Sequence, residues 1–449
     1  MKIYDTARKE KTLFVPSDPG NIRIYVCGPT VYDRIHLGNG RAAVAFDLLR
    51  RVLEDEHGAG SVHMVRNITD VDDKINARAA QRGVSIRSVT DETTAWFRED
   101  VAALGTLRPH EEPRATDHIA GMVEMIQRIL DHGHAYVSNG HVFFDVASDP
   151  HSGQLFRAGM VGEPSDDGGH GKRSAQDFVL WKPSAADQPA WDSPWGSGRP
   201  GWHIECSAMV RSSFGGLGVD IHGGGADLQF PHHENEAAQH RCAHPHEPFS
   251  RHWMHNGMVT VDKRKMAKSA GNFITVRDTL DSGVGGDAIR LALLSGHYAG
   301  SLDWSSDLIS AAHQAAKRWR RITQGVKPMR DEEITEALRD DLSTPRVIAR
   351  MHALDKMGEL ARLAFGFRLM GLEDAEPAPD VSVPRDLVSK VEALIKLRDV
   401  ARAEKRWSDS DTLRAQAEDL GFRLKDVKGG GTDWSYDPEP AEAGWNPTP

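Results

Sequence analysis

The sequence predicts an α/β fold, a doubly wound parallel sheet followed by α-helical domains toward the C-terminus. Three observations predict it. A strand-like run at residues 22–26 leads through a Gly-containing loop into a helical pattern, and a second strand-like run follows at 62–68; a β-loop-α-β succession of this kind builds a parallel sheet. From about residue 286 onward helical patterns dominate. The 449 residues are 39% apolar, enough for sizeable cores and, at roughly 100–200 residues each, for two to four domains. The first of these is expected to be Rossmann-like.

Taken in order, residues 22–26 alternate as a strand and run into the turn Cys27-Gly28-Pro29-Thr30. Over 41–53, Val44, Leu48, Leu49 and Val52 recur on one helical face. The strand at 62–68 ends in Asn67-Ile68-Thr69-Asp70. Ligands of such sheets sit beyond the carboxyl ends of strands, where Cys27, His36 and Thr69 fall. An amphipathic helix is predicted over 116–132 through Ile119, Met122, Ile126 and Ile129. Residues 150–200, rich in Gly, Pro, Ser and Asp, read as an irregular insertion, loosest at Gly168-Gly169-His170-Gly171 and Trp195-Gly196-Ser197-Gly198. The sheet is expected to resume at 202–206 and 219–222, with Gly223-Gly224-Gly225 as the next turn. Residues 257–261 lead as a strand into a lysine-bearing loop. Ala375 to Asp380 reads as a linker, and the segment after Gly429, rich in Gly, Pro and Glu, as a mobile tail.

Composition removes several functional classes. The formal net charge of −10 argues against a protein that coats nucleic acid indiscriminately, so any nucleic-acid partner must meet local basic surface. Three cysteines, Cys27, Cys206 and Cys242, make no disulfide framework and suit a reducing cytoplasm. Met1 to Asp5 is polar where a leader would be apolar, and no apolar run approaches the ~18 residues of a membrane span. A cytoplasmic protein with no membrane partner is expected.

Two motifs point to ATP. His36-Leu37-Gly38-Asn39 follows a strand and opens a helix, and Lys265-Met266-Ala267-Lys268-Ser269 follows a later strand. An ATP site must neutralise a triphosphate and stabilise the charge that grows on it. His36 can donate to phosphate, Gly38 lets backbone come close, and the helix offers its N-terminus to an anion. Lys265 and Lys268 are three residues apart and can share one side of a turn. Each motif alone is weak; the pair in this context is much stronger.

A third constellation suggests a metal. If Pro231-His232-His233-Glu234-Asn235-Glu236 is helical, His232 and Glu236 share a face one turn apart. Cys27 and Cys206 are each expected at a strand end. Two thiolates with an imidazole suit four-coordinate Zn2+, whereas two buried apolar cysteines are the plain alternative. His240, Cys242, His244 and His246 form a rival cluster; Cys242 is read as core and the histidines as surface.

Together these residues resemble the cysteinyl-tRNA synthetase family of class I aminoacyl-tRNA synthetases. The resemblance runs through Tyr25 to Asp33, His36 to Asn39, Arg66 to Asp70, Gly201 to Met209, Gly223 to Leu228, Pro231 to Glu236 and Lys265 to Ser269, in the family's order and over essentially the whole chain. It implies that L-cysteine is activated by ATP, with Mg2+, to cysteinyl-adenylate and pyrophosphate, and then passed to its tRNA. It implies one Zn2+ per chain on Cys27, Cys206, His232 and Glu236, which binds the substrate thiolate. Thr69 and Asp227 are implied for the ends of cysteine, Trp202 for a pocket wall, and His36, Gly38, Asn39, Lys265 and Lys268 for ATP and catalysis. Two departures stand out: Asn39 where the family commonly has His, and Ala267 where serine is usual. The implied organisation is a catalytic first half (1–110), an inserted connective region (111–200), a second catalytic half with the zinc site (201–250), a KMSKS-type loop and stem-contact region (251–320), a helical domain and linker (321–380) and an anticodon-binding domain with its tail (381–449). On family grounds a monomer is expected.

The tRNA side rests on residues 385–428, which hold 11 Lys/Arg against 9 Asp/Glu. Arg398, Arg402, Lys405 and Arg406 fall at helical spacing as a basic stripe. Trp434 is a candidate for stacking on an unpaired base. Asp437 to Glu442 is too acidic for an RNA surface. Two rival readings remain. One is an ATP-dependent ligase joining cysteine to an amino-sugar. The other is a zinc hydrolase with Glu234 as general base, which would leave the Lys265 loop without a role.

Overall fold

The computed structural model describes residues 1–156, 171–186, 188–267, 270–378, 385–404, 406–426 and 432–436. Lys268, Ser269, Lys405, Gly168 to His170 and the tail from Asp437, all singled out in the sequence, lie outside the described residues. The chain divides into two units, residues 1–378 and 379–449.

The first unit opens with an antiparallel hairpin of β1 (Lys2–Asp5) and β2 (Glu10–Leu13). β3 (Ile22–Val26) lies where the sequence puts it, with all five residues buried. α1 (Leu37–His57) is longer than the 41–53 pattern, because His36 is its N-cap and the whole His36–Asn39 stretch is its first turn. β4 (Val62–Arg66), α2 (Asp73–Arg82), α3 (Ile86–Ala103) and α4 (Ile119–Asp131) follow. Ile119, Met122, Ile126 and Ile129 of α4 are buried, as their spacing requires.

β5 (Ala135–Ser138) and β6 (His141–Phe144) form a hairpin across Asn139-Gly140, both at positive φ, a turn whose twist matches that of paired strands. β7 (Phe178–Pro183) and β8 (Gly198–Pro200) extend it to a four-stranded antiparallel sheet. The 150–200 region is therefore not wholly irregular. Its Gly and Pro content hides Phe178-Val179-Leu180-Trp181, a short buried run that packs as a strand.

α5 (Trp202–Phe214) replaces the strand expected at 202–206. His203 to Val210 are all buried, so this helix shows no polar face from which its period could be read. In β9 (Val219–Gly225) the three glycines are strand, not turn. A Cβ on Gly223 would lie 2.2 Å from the Phe46 ring, so glycine there lets α1 press onto the sheet. α6 (Glu234–Ala243) and β10 (Ser250–Asn256) complete the central sheet, order β10-β9-β3-β4, parallel throughout. Strand alternation divides two cores across it. Ile24, Val26, Met64 and Ile221 join the core of α1; Tyr25 and Val65 join that of α4, α5 and α6.

β11 (Val259–Val261) pairs with β12 (Arg264–Lys265). After α7 (Val276–Asp281) and α8 (Gly286–Leu293), β13 (Leu302–Trp304) adds to β11 in parallel. The helices α9 (Ser306–Thr323), α10 (Glu332–Arg339), α11 (Thr344–Met357) and α12 (Leu360–Leu369) follow. The first residues of the expected linker are packed rather than loose. Ala375 is buried, and the Glu376 N–H donates to Ala103 O at 2.9 Å while its carbonyl accepts from the Asp287 N–H at 3.2 Å.

The second unit holds α13 (Arg385–Ala403), α14 (Trp407–Asp419) and an antiparallel hairpin of β14 (Phe422–Asp426) and β15 (Thr432–Tyr436), the last an addition to the expected helices. Val391, Ala417, Phe422 and Leu424 form its core. Among the described residues no helix is long and apolar enough to cross a membrane.

Candidate active site and metal centre

Four of the sequence's candidates converge. Cys27 follows β3, Cys206 lies mid-helix in α5, and His232 and Glu236 flank the start of α6. One ligand atom from each lies within 4.8 Å of the others. Cys27 Sγ is 3.7 Å from Cys206 Sγ and 3.4 Å from Glu236 Oε1, which is 3.0 Å from His232 Nε2. Two thiolates on one tetrahedral Zn2+, with bonds of about 2.3 Å, sit about 3.8 Å apart, so the donor spacing fits. Cys206 is not at a strand end; it reaches the site from a helix.

The electrostatics agree with a cation. Burial, reinforced by Cys206 and Glu236, pushes the Cys27 thiol well up. The hydrogen bond to Cys27 draws Cys206 down, but burial and the Glu236 and Glu205 carboxylates leave it raised. Burial drops His232 to about 3, the neutral form that ligates metals. Two thiols this close and this buried hold their anionic forms only with a positive partner.

Sequence reasoning missed the imidazoles around this group. His222 Nε2 lies 3.5 Å from Cys27 Sγ and 3.2 Å from Glu236 Oε2, and Cys27, His222, His233 and Glu236 make a second possible ligand group. His203 Nδ1 pairs with His232 Nδ1 at 2.9 Å, and His233 Nδ1 with His255 Nε2 at 2.7 Å. The signal was present: His222 stands mid-way along β9, paired with Tyr25 of β3, and His255 near the carboxyl end of β10. His240 and His244 are also buried, a correction to their surface reading, while Cys242 is core as expected. Both carboxylate oxygens of Glu234 are engaged by backbone: Oε1 accepts the Gly153 amide and Oε2 that of Phe156, each at 2.9 Å.

The nucleotide motifs meet in space. His36 bridges Thr275, Leu37 N–H donates to Ile274 O at 3.0 Å, and Val276 N–H donates to Ile35 O at 3.1 Å. The residues after the lysine loop thus run beside the first turn of α1. The Phe273 ring stands edge-on to His36 at 5.3 Å. Asn272 ties the loop's base, its Oδ1 accepting from Ala267 N–H at 3.0 Å and its Nδ2 donating to Lys265 O at 3.2 Å.

A cleft of about 320 Å³ runs between these motifs, walled by Cys27, His36, Asn39, Trp202, Asp227 and Lys265 among others. Trp202, 40% exposed, stacks on His232 at 4.2 Å. Thr69 is not a wall residue: it is 1% exposed, and Thr30 faces the cleft instead.

In the second unit the described members of the basic stripe differ in exposure and already have partners within the chain. Arg398 is buried and donates to Thr432 Oγ1 at 2.7 Å. Arg402 is half-buried, and Arg406 is paired with Glu404 at 2.7 Å and with Asp409. Spacing placed them on one helix, but the hairpin and neighbouring carboxylates engage them. Trp434 is half-buried against Phe422, with ring centroids 5.1 Å apart.

Comparison with known proteins agrees with this geometry. Residues 13–314 match the family model described as the catalytic domain of class I (C) tRNA synthetases. A cysteine–tRNA ligase of Methylocella silvestris is 47% identical over 98% of this chain and 100% of its own length. That of Ruegeria pomeroyi is 46% identical over 96% of this chain and 95% of its own. Among solved structures, Mycobacterium tuberculosis methionyl-tRNA synthetase with methionyl-adenylate superposes with a TM-score of 0.51 at 13% identity, covering 89% of each chain. The LeuRS of Agrobacterium radiobacter K84, in its ternary complex with tRNA and LeuAMS, gives 0.55 at 11%, covering 81% of this chain and 85% of that one. These two support the fold alone.

Proposed function

The chain belongs to the cysteine–tRNA ligase family of class I tRNA synthetases, and we propose on that premise how its residues divide the reaction. L-cysteine and ATP meet in the cleft, pyrophosphate leaves, and cysteine passes from the adenylate to the terminal adenosine of its tRNA. The observation that carries this reading is Cys27, which belongs both to the ligand group and to the cleft wall: the metal centre opens onto the nucleotide site.

Zn2+ on Cys27, Cys206, His232 and Glu236 would supply a soft acceptor for the substrate's sulfur that serine's oxygen satisfies poorly. The need is quantitative. Serine differs from cysteine by one atom, and shape alone discriminates such a pair by ~1–3 kcal/mol, against the ~5.5 kcal/mol that 10⁴-fold fidelity requires. Asp227 meets the ammonium and Trp202 closes one wall. His36 and the N-terminus of α1 receive the phosphates, with Asn39 beside them. Lys265 and Lys268 stabilise the charge that grows on the departing pyrophosphate, and Mg2+ accompanies ATP. One chain acts as a monomer, and residues 379–449 contact the tRNA.

Cysteine-dependent exchange of pyrophosphate into ATP tests the reading. Exchange is expected with cysteine and not with serine; equal exchange with both would remove the selectivity argument. Exchange without charging of tRNA would point to an amine acceptor such as an amino-sugar. Cys206→Ser is expected to lose bound metal and cysteine binding while ATP binding survives, read by metal analysis and nucleotide titration.

A further inference from the structure

The end of β4 carries a buried clamp that the roles above leave unused. Asn67 is fully buried; its Oδ1 accepts the Gly28 N–H at 2.8 Å and its Nδ2 donates to Thr69 Oγ1 at 3.2 Å. The backbone continues the clamp: Thr69 N–H donates to Pro29 O at 3.2 Å, and Val31 N–H to Thr69 O at 3.1 Å. The approach is so close that a Cβ on residue 28 would lie 1.8 Å from Asn67 O, which is why glycine follows Cys27. On the other side Cys27 N–H donates to Gly223 O at 2.9 Å. Cys27 is thus set between β9 and the end of β4.

Thr69 also bears on the second thiol. Its hydroxyl lies against the carboxyl of Glu205, which precedes Cys206 on α5 and is itself buried. The Asn67–Thr69 pair therefore touches the immediate neighbours of both cysteines, and Thr69 has no place on the cleft wall.

We propose that Asn67 and Thr69 are positioning residues for the Cys27–Cys206 thiol pair, acting on cysteine recognition through the spacing of the metal ligands and not through contact with the substrate. This rests on the metal reading above. The physical basis is the one-way chemistry of an amide, which donates only through nitrogen and accepts only through oxygen. The Thr69 oxygen accepts Nδ2 and so keeps Oδ1 toward Gly28. Without that oxygen the amide can turn, setting a donor against the Gly28 N–H and loosening the turn that carries Cys27. Partners one shell behind metal ligands change affinity by about 10–100-fold.

The test uses the full chain and two readouts besides turnover: Zn2+ affinity by chelator competition, and the sulfur-to-metal absorption of the Co2+-substituted protein. Thr69→Val, nearly isosteric, is expected to weaken Zn2+ about 10–100-fold and shift the Co2+ band, with KM for ATP unmoved; Thr69→Ser restores both. Wild-type metal affinity and spectrum in Thr69→Val, with KM raised for cysteine alone, would overturn the proposal and return Thr69 to the substrate. If Thr69→Val does not fold, Asn67→Ser carries the same readouts and outcomes. A wild-type chain that takes up no stoichiometric Zn2+ would instead remove the parent reading, and this inference with it.

Discussion

His36 shows how one side chain serves fold and chemistry together. Its Nδ1 accepts the Gly38 N–H at 2.9 Å and caps α1. A neutral ring that accepts at Nδ1 carries its proton on Nε2, so the cap itself selects the tautomer that can donate to a phosphate. His36→Asn keeps a capping oxygen but has no donor at that reach. We expect an unchanged melting temperature and a kcat for pyrophosphate exchange lowered about 100-fold, the usual cost of one lost donor to developing charge. At this scale the sequence was most legible where residue type is chemically restrictive. Two cysteines, a histidine and a glutamate have few joint uses, and they converge. It was least legible for Thr69 and Arg398, whose types serve equally well at a surface or inside, and burial placed both inside.

At the scale of elements, α3 meets the turn before α1 through a strained pairing. Asp100 accepts from Arg34 Nη1 at 2.8 Å, but its Oδ2 is buried without a partner among the described residues. Burial outweighs the pull of Arg34 and lifts the Asp100 carboxyl to about 6. The sign follows: as pH rises from about 4 to about 6 the unfolded chain gives up this proton first, so the group's contribution to stability falls through that window. Asp100→Asn removes the titration and keeps an acceptor for Arg34. Urea unfolding at several pH values should show the variant gaining on the wild type from pH 4 to pH 6.5, by on the order of 1 kcal/mol after allowance for solvent screening. No gain would place the Asp100 carboxylate in a well-solvated setting. Elements with a clean period or a capping signal, β3, β4 and α4, stood where the pattern put them. The buried α5 and the glycine-filled end of β9 did not, because burial on all sides erases period and close packing imitates a turn.

At the scale of the whole molecule, each unit has its own core. The cleft, the ligand group and both nucleotide motifs belong to residues 1–378. A chain ending at Ala378 should therefore keep cysteine-dependent pyrophosphate exchange near the full-length rate. Its charging of tRNA should weaken by at least about tenfold in KM for tRNA, the equivalent of about 1.4 kcal/mol of lost contact. Loss of exchange on truncation would show that the catalytic half needs the second unit to fold or to act. The sequence by itself determined the α/β class, the order of the motifs and the four converging ligands, because hydrophobic period and restrictive side-chain chemistry are local properties of the chain. Tertiary structure alone decided that Cys206 arrives on a helix, that imidazoles surround the thiols, that Thr69 stands behind Cys27, and that Arg398 and Arg406 are already engaged. Those outcomes depend on which distant segments share a core, and no local pattern records that.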